Sequence, residues 1–154
     1  MTDVTSVLDQ AGIDYDLLEH ERTERALLEA EALGVPPEQV AKTLVLSTPA
    51  GNVRAVLPAS ERIDFHKLRE LVEGGKSIRL LREDELDRDY AEFELGAVPP
   101  FGGARRDRVL LDSRLAEQDS VVLEAGSHRK SVRLKTSDLK ALTGAEVADI
   151  CRAE

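Results

Sequence analysis

A chain of 154 residues with a formal net charge of −9 has room for a hydrophobic core but carries the wrong sign for gripping long nucleic acid. Aromatic residues make up only 3% and Trp is absent, so the core must be aliphatic, and the scarcity argues against a base-stacking platform. The single cysteine, Cys151, rules out a disulfide framework or a cysteine-ligated metal centre within one chain.

The N-terminus has neither the basic nor the apolar segment of a signal peptide, and no apolar run reaches membrane-spanning length. A cytoplasmic setting is therefore expected. No linker, repeat or low-complexity tract interrupts residues 1–154, which read as one domain.

Val4, Val7, Leu8 and Ala11 recur at helical spacing before a stop at Gly12. "IDYDLLEH" alternates as a short strand ending at His20. In "TERALLEAEALG" the residues Ala26, Leu27, Ala30 and Leu33 share a helical face, and Gly34 ends it. "VPPEQV" opens a helical turn, proline being tolerated near its start. "KTLVLSTPAGNVRAVLPAS" gives two strands around a turn somewhat longer than the tightest hairpin. "DFHKLRELVEGG" is a helix with Asp64 as N-cap and Gly74 as stop. A strand at "SIRLL" and a short acidic helix at "REDELDRDY" follow. "RVLLD", "DSVVLEAG" and "KSVRLK" are strands, and "TSDLKALTG" is a closing helix capped by Thr136, Ser137 or Asp138. Interspersed helices and hairpins predict an α+β fold whose strands largely share one mixed sheet.

Chemistry is sparse. "EGGKS" lacks the first glycine of a phosphate loop and lies between helix and strand in the wrong order. No nucleophile elbow is present, and Cys151 sits near the tail rather than in an interior segment. His20, His66 and His128 form no zinc-type pair. His66 reads as a surface residue. His128 falls in a basic turn with Arg129, read either as a phosphate contact or as a solvated turn. His20 ends a strand and is a candidate for a cleft. Lys42 shares a strand face with Leu44 and Leu46. Such an ammonium either snorkels to solvent or needs an anion nearby.

"GAVPPFGG" sets two prolines between glycines. It is either a rigid connector or a preformed wall whose main-chain groups meet a ligand at low ordering cost.

The order of these pieces resembles the YbaK/EbsC family of aminoacyl-tRNA deacylases, the editing domain also inserted in bacterial prolyl-tRNA synthetases. The resemblance runs from "YDLLEH" through "VAKTLVL", "LPASERID", "ELGAVPPFG", "VLLDSRL" and "VVLEAG", and is nearest the free-standing YeaK-like branch. It implies a curved mixed β-sheet with flanking helices around one cleft. It also implies hydrolysis of the ester on a mischarged tRNA, with no cofactor, no metal and no covalent nucleophile. Lys42 would be the catalytic residue, holding a phosphate or the developing oxyanion. His20 and the loop Gly96, Ala97, Val98, Pro99, Pro100, Phe101 and Gly102 would bind substrate, on the same concavity as Lys42. Asp112 would support the site from behind. The partner implied is the acceptor end of tRNA, with a synthetase or elongation factor supplying further affinity. The competing reading is a non-catalytic module that binds an amino acid, a nucleotide or a protein.

Overall fold

A computed structural model describes residues 4–21, 26–103 and 106–152. The first helix, α1 (Val4–Gln10), buries Val4 and Leu8, and Gly12 turns the chain at a φ of 69°. β1 (Tyr15–Glu19) follows. α2 (Ala26–Leu33) buries Ala30. Residues 22–25 and the side chains of Ala26 and Leu27, which the sequence placed on its apolar face, lie outside the described residues. A single 3-10 turn at Pro37–Gln39 matches the helical turn expected there.

β2 (Ala41–Thr48) and β3 (Gly51–Pro58) form the predicted hairpin. Thr48 pairs with Gly51, so Pro49 and Ala50 alone make the turn, a tighter connection than the sequence suggested. α3 (Phe65–Leu71) begins where Asp64 accepts the backbone N–H groups of His66 and Lys67, and ends before Gly74. β4 (Arg79–Leu80) is a two-residue remnant of the expected strand. α4 (Glu83–Asp89) opens with the Glu85 carboxylate bound to the Arg82 N–H. β5 (Arg108–Asp112) runs into the unanticipated one-turn α5 (Ser113–Ala116). β6 (Ser120–Ser127) and β7 (Lys130–Lys135) make a second hairpin. α6 (Thr136–Thr143) starts at Lys135 with no side-chain cap, so none of the three expected residues caps it. A further unanticipated strand, β8 (Glu146–Ala148), precedes the tail.

The strands divide between two sheets instead of largely sharing one: β1-β7-β6 and β4-β2-β3-β5-β8. The first is antiparallel throughout. In the second, β3, β5 and β8 run parallel, while β2 and β4 run against their neighbours. Helices therefore cross between β3 and β5, as parallel pairs require. The sheets touch where Val40 bridges Val122 in parallel.

Side-chain alternation gives the larger sheet two buried faces. Leu44, Leu46, Ala55, Leu57 and Leu110 pack with Leu68, Ile150 and Cys151. Ala41, Val56, Val109 and Leu111 pack with Leu123 and Leu134 of the smaller sheet. Cys151 is thus a core residue although it is near the end of the sequence. Ile63 bridges it as a short antiparallel contact, which pulls the tail into the core.

Candidate active site

β2 and β6 start side by side at the Val40–Val122 bridge and then diverge. On the outer edge of β2, β4 pairs only with Leu46 and Ser47. The stretch from Lys42 to Leu44 therefore has no strand paired to it on that edge, which leaves a gap between β2 and β6. The proline-glycine segment is tied to both sheets: the Glu94 N–H donates to the Gly126 carbonyl at the end of β6, and Val98 packs on Val45 of β2.

Lys42 pairs with Leu57 across the hairpin, and its side chain leaves the sheet on the Leu44–Leu46 face. It is half-buried. Burial lowers its pKa first of all; Cys151, Arg62 and Glu61 act on it at longer range, with Arg62 adding to the lowering. The Cys151 thiol is itself pushed up to about 12, chiefly by burial, so it supplies no counter-charge near neutral pH. Among the described residues no hydrogen bond or ion pair reaches the Lys42 ammonium. Opposite it, the loop packs on the other face of β2. By alternation, Val98 and Val45 meet on the face of β2 opposite the Lys42 side chain.

The loop is mostly interior. Ala97, Val98, Pro99, Pro100 and Phe101 are buried; Gly96 is exposed and Gly102 half-buried. Its shape is set from below by Arg54 of β3, which is 1% exposed. Nη1 donates to the Pro99 carbonyl at 2.9 Å and Nη2 to that of Gly102 at 3.0 Å. Nε donates to Asp107 at 2.9 Å, and the Tyr90 hydroxyl donates to the same oxygen at 2.5 Å. Beyond Pro100 the loop borders a cavity of ≈ 510 Å³, lined also by Val7, Arg54 and Leu142 but not by Lys42.

His128 is not a solvated turn residue. It is 2% exposed. Its Nε2 lies 2.6 Å from the Leu95 carbonyl and so must carry a proton, and Nδ1 lies 2.9 Å from Glu124 Oε2. Arg129 beside it is exposed.

The aminoacyl-tRNA editing domain family matches residues 20–142, most of the chain. The chain belongs to this family. A Ser/Thr-tRNA deacylase of Escherichia coli K12, ProXp-y, is 29% identical over 96% of this chain and 90% of its own. A crystal structure described as a trans-editing enzyme for prolyl tRNA synthetase superposes with a TM-score of 0.88 at 29% identity, covering 97% of this chain and 95% of that one. The hypothetical protein APE2540 has a TM-score of 0.87 at 25% identity, over 97% and 99%. The editing domain described here is an aminoacyl-tRNA deacylase, a hydrolase that acts on the aminoacyl ester of tRNA. No helix among its described residues is long and apolar enough to cross a membrane.

In this editing domain His20 is tied down on both sides. Its Nδ1 meets the Glu21 carbonyl at 2.7 Å and its Nε2 the Ser131 hydroxyl at 2.9 Å. Ser131 also bonds Glu29 of α2, which is fully buried. Glu29 Oε1 has no partner among the described residues, and burial raises the carboxyl to about 7 despite the Ser131 bond. Asp112 is equally buried. It accepts the Ile150 N–H from the tail and the Arg114 N–H of α5, each at 3.1 Å, so it holds the sheet end together. His66 is on the surface, as read.

Arg54, Glu29 and Ser131 were not singled out from sequence. Two signals were available. Arg54 interrupts an otherwise apolar central strand. Glu29 falls on the same helical stripe as Ala26, Ala30 and Leu33.

Proposed function

We propose that Lys42 supplies the positive charge for deacylation at the gap between β2 and β6. The observation that carries this reading is a half-buried ammonium with no ion-pair partner among the described residues. A desolvated cation in that state favours an anion. Water adds to the ester carbonyl, and the negative charge that collects on its oxygen is what a fixed ammonium stabilises. The bond to the ribose oxygen then breaks, releasing the amino acid and restoring a free hydroxyl on the terminal ribose. No covalent nucleophile is needed, because the ester is already reactive and orientation does much of the work.

In this reading the exposed end of the loop at Gly96 helps to place the ester, and Arg129 is free to meet a phosphate. Residues 1–154 act as one editing unit, in trans, in the cytoplasm. The chain's acidity, −9 overall, fits a grip confined to the acceptor end, with a synthetase or elongation factor holding the rest of the tRNA. Seryl- and threonyl-tRNA are the first substrates to try, because the E. coli relative is named for them.

The test is single-turnover hydrolysis across a panel of mischarged tRNAs, with wild type beside Lys42→Ala. Hydrolysis of at least one ester that depends on Lys42 supports the reading. Full activity in Lys42→Ala, or a trapped lysine adduct, removes Lys42 from the role. Binding without turnover by the wild type would favour a recognition module.

A further inference from the structure

A loop with five consecutive buried residues must send its main-chain polar groups somewhere. Two of its carbonyls, and that of Leu95 just before it, are taken by buried side chains. His128 donates to Leu95 O, and Arg54 donates to Pro99 O and Gly102 O. Arg54 is itself anchored from behind by Asp107, and Nδ1 of His128 lies 2.9 Å from Glu124 Oε2. Arg54 also lies over the Tyr90 ring, 5.1 Å from its centre. Both clamps therefore act from the interior, at the two ends of the segment.

Peptide units are planar, and there are no cis bonds among the described residues. In a trans unit the carbonyl and the following N–H point in opposite directions. Turning Leu95 O inward onto His128 thus turns the Gly96 N–H away from the clamp, at an exposed residue. That N–H has no hydrogen-bond partner among the described residues. Pro100 has no N–H, so the inward Pro99 carbonyl leaves no donor behind it. Gly96 can make this turn because its φ is 84°, and a Cβ there would sit 3.5 Å from the His128 ring.

We propose that Arg54 and His128 are positioning residues for deacylation: they hold the loop carbonyls inward and so keep the Gly96 N–H facing the gap. Neither touches substrate. This rests on the deacylase reading of the loop. A buried arginine is otherwise an expensive way to fill a core, and its hydrogen bonds to the Pro99 and Gly102 carbonyls and to Asp107 define a loop shape that apolar packing alone would leave free.

Three variants test it, Arg54→Lys, His128→Ala and His128→Gln, each measured for kcat, KM and hydrogen exchange of the 94–103 segment. Arg54→Lys keeps the charge but cannot reach both carbonyls and Asp107 with a planar fork. His128→Gln keeps a neutral donor toward Leu95 O. Arg54→Lys and His128→Ala should lower kcat by between about tenfold and a hundredfold with KM little changed, because the cost is misplacement of reacting groups. Both should speed exchange in the segment, and His128→Gln should recover part of each loss. Faster exchange with wild-type kcat would overturn the proposal while leaving the deacylase intact. So would His128→Gln and His128→Ala behaving alike in kcat, a comparison that stands even if Arg54→Lys fails to fold. A wild type inactive on every mischarged tRNA is a different result, since it would remove the deacylase reading itself.

Discussion

Replacing Glu29 with glutamine should change how stability depends on pH, and the size of the change can be worked out. The native carboxyl is raised from 4.5 to about 7, first by burial. The unfolded chain releases that proton near the ordinary carboxylate value, so between the two values folding takes up a proton. Stability contributed by protonated Glu29 is complete below about pH 4.5 and is eroded as pH rises to about 7, where the native carboxyl also ionises. At about 1.4 kcal/mol for each pH unit, ionised Glu29 costs the fold about 3 kcal/mol above pH 7. Glutamine has nearly the same shape, can accept the Ser131 hydroxyl through its oxygen, and has no proton to lose. All other titrating groups are common to both proteins and cancel in the comparison. Urea midpoints at pH 5, 6, 7 and 8 should therefore show Glu29→Gln gaining on wild type by between about 2 and 3 kcal/mol over that range. The gain should flatten above pH 7. Two curves that stay parallel from pH 5 to pH 8 would refute the reasoning, because they would mean that Glu29 ionises alike in the folded and unfolded chains.

Lys42→Ala should cut deacylation by about a hundredfold or more with unchanged circular dichroism, and Lys42→Arg should restore little, because a planar guanidinium cannot occupy the place of a compact ammonium. With spontaneous ester hydrolysis subtracted, the enzymatic rate should fall on the alkaline side below the usual lysine value of 10.5, since burial lowers the pKa of this ammonium; a rate that holds flat through pH 10.5 would argue against a role for its charge. Gly126→Ala should destabilise the protein by about 1–3 kcal/mol in thermal or urea melts, because φ there is 84° and the new Cβ would lie 2.7 Å from the Phe93 ring.

Much of the fold was legible because the chain alternates cleanly. The β2–β3 hairpin, β5, the β6–β7 hairpin and the Asp64 cap all stand where period and turn chemistry place them. What failed to show was short or non-local. β8 has three residues and depends on β5 for its pairing, and α5 is a single turn after Asp112. The division into two sheets could not be read locally, because β1 and β7 meet only in three dimensions. At the site, the alternation of "AKTLVLS" sets Lys42 on the Leu44–Leu46 face of β2. It could not say that Val98 of the proline-glycine loop would pack on Val45, on the other face. The composition of "GAVPPFGG" does not show that five of its residues are interior, because that rests on Arg54 and His128 satisfying carbonyls that would otherwise need water. His128 was misread for a related reason. A basic neighbourhood in sequence, His128-Arg129-Lys130, does not reveal that the hairpin folds the first of the three inward while the next two stay outside.

The pairing of β1 with β7 joins Tyr15 to Leu134, and the tail reaches back so that the Asp64 N–H meets the Ile150 carbonyl. Both closures link segments that a ribosome makes many seconds apart. Until the last strands emerge, β1 has no partner and the core around Leu68 lacks Ile150 and Cys151. Domains with such distant contacts fold late and slowly. A nascent chain of this protein should stay sensitive to protease until β7 and Ile150 have emerged, because neither the smaller sheet nor the core around Leu68 can close before then. An enzyme that corrects the raw material of translation thus gains its own fold only once most of these residues have been translated.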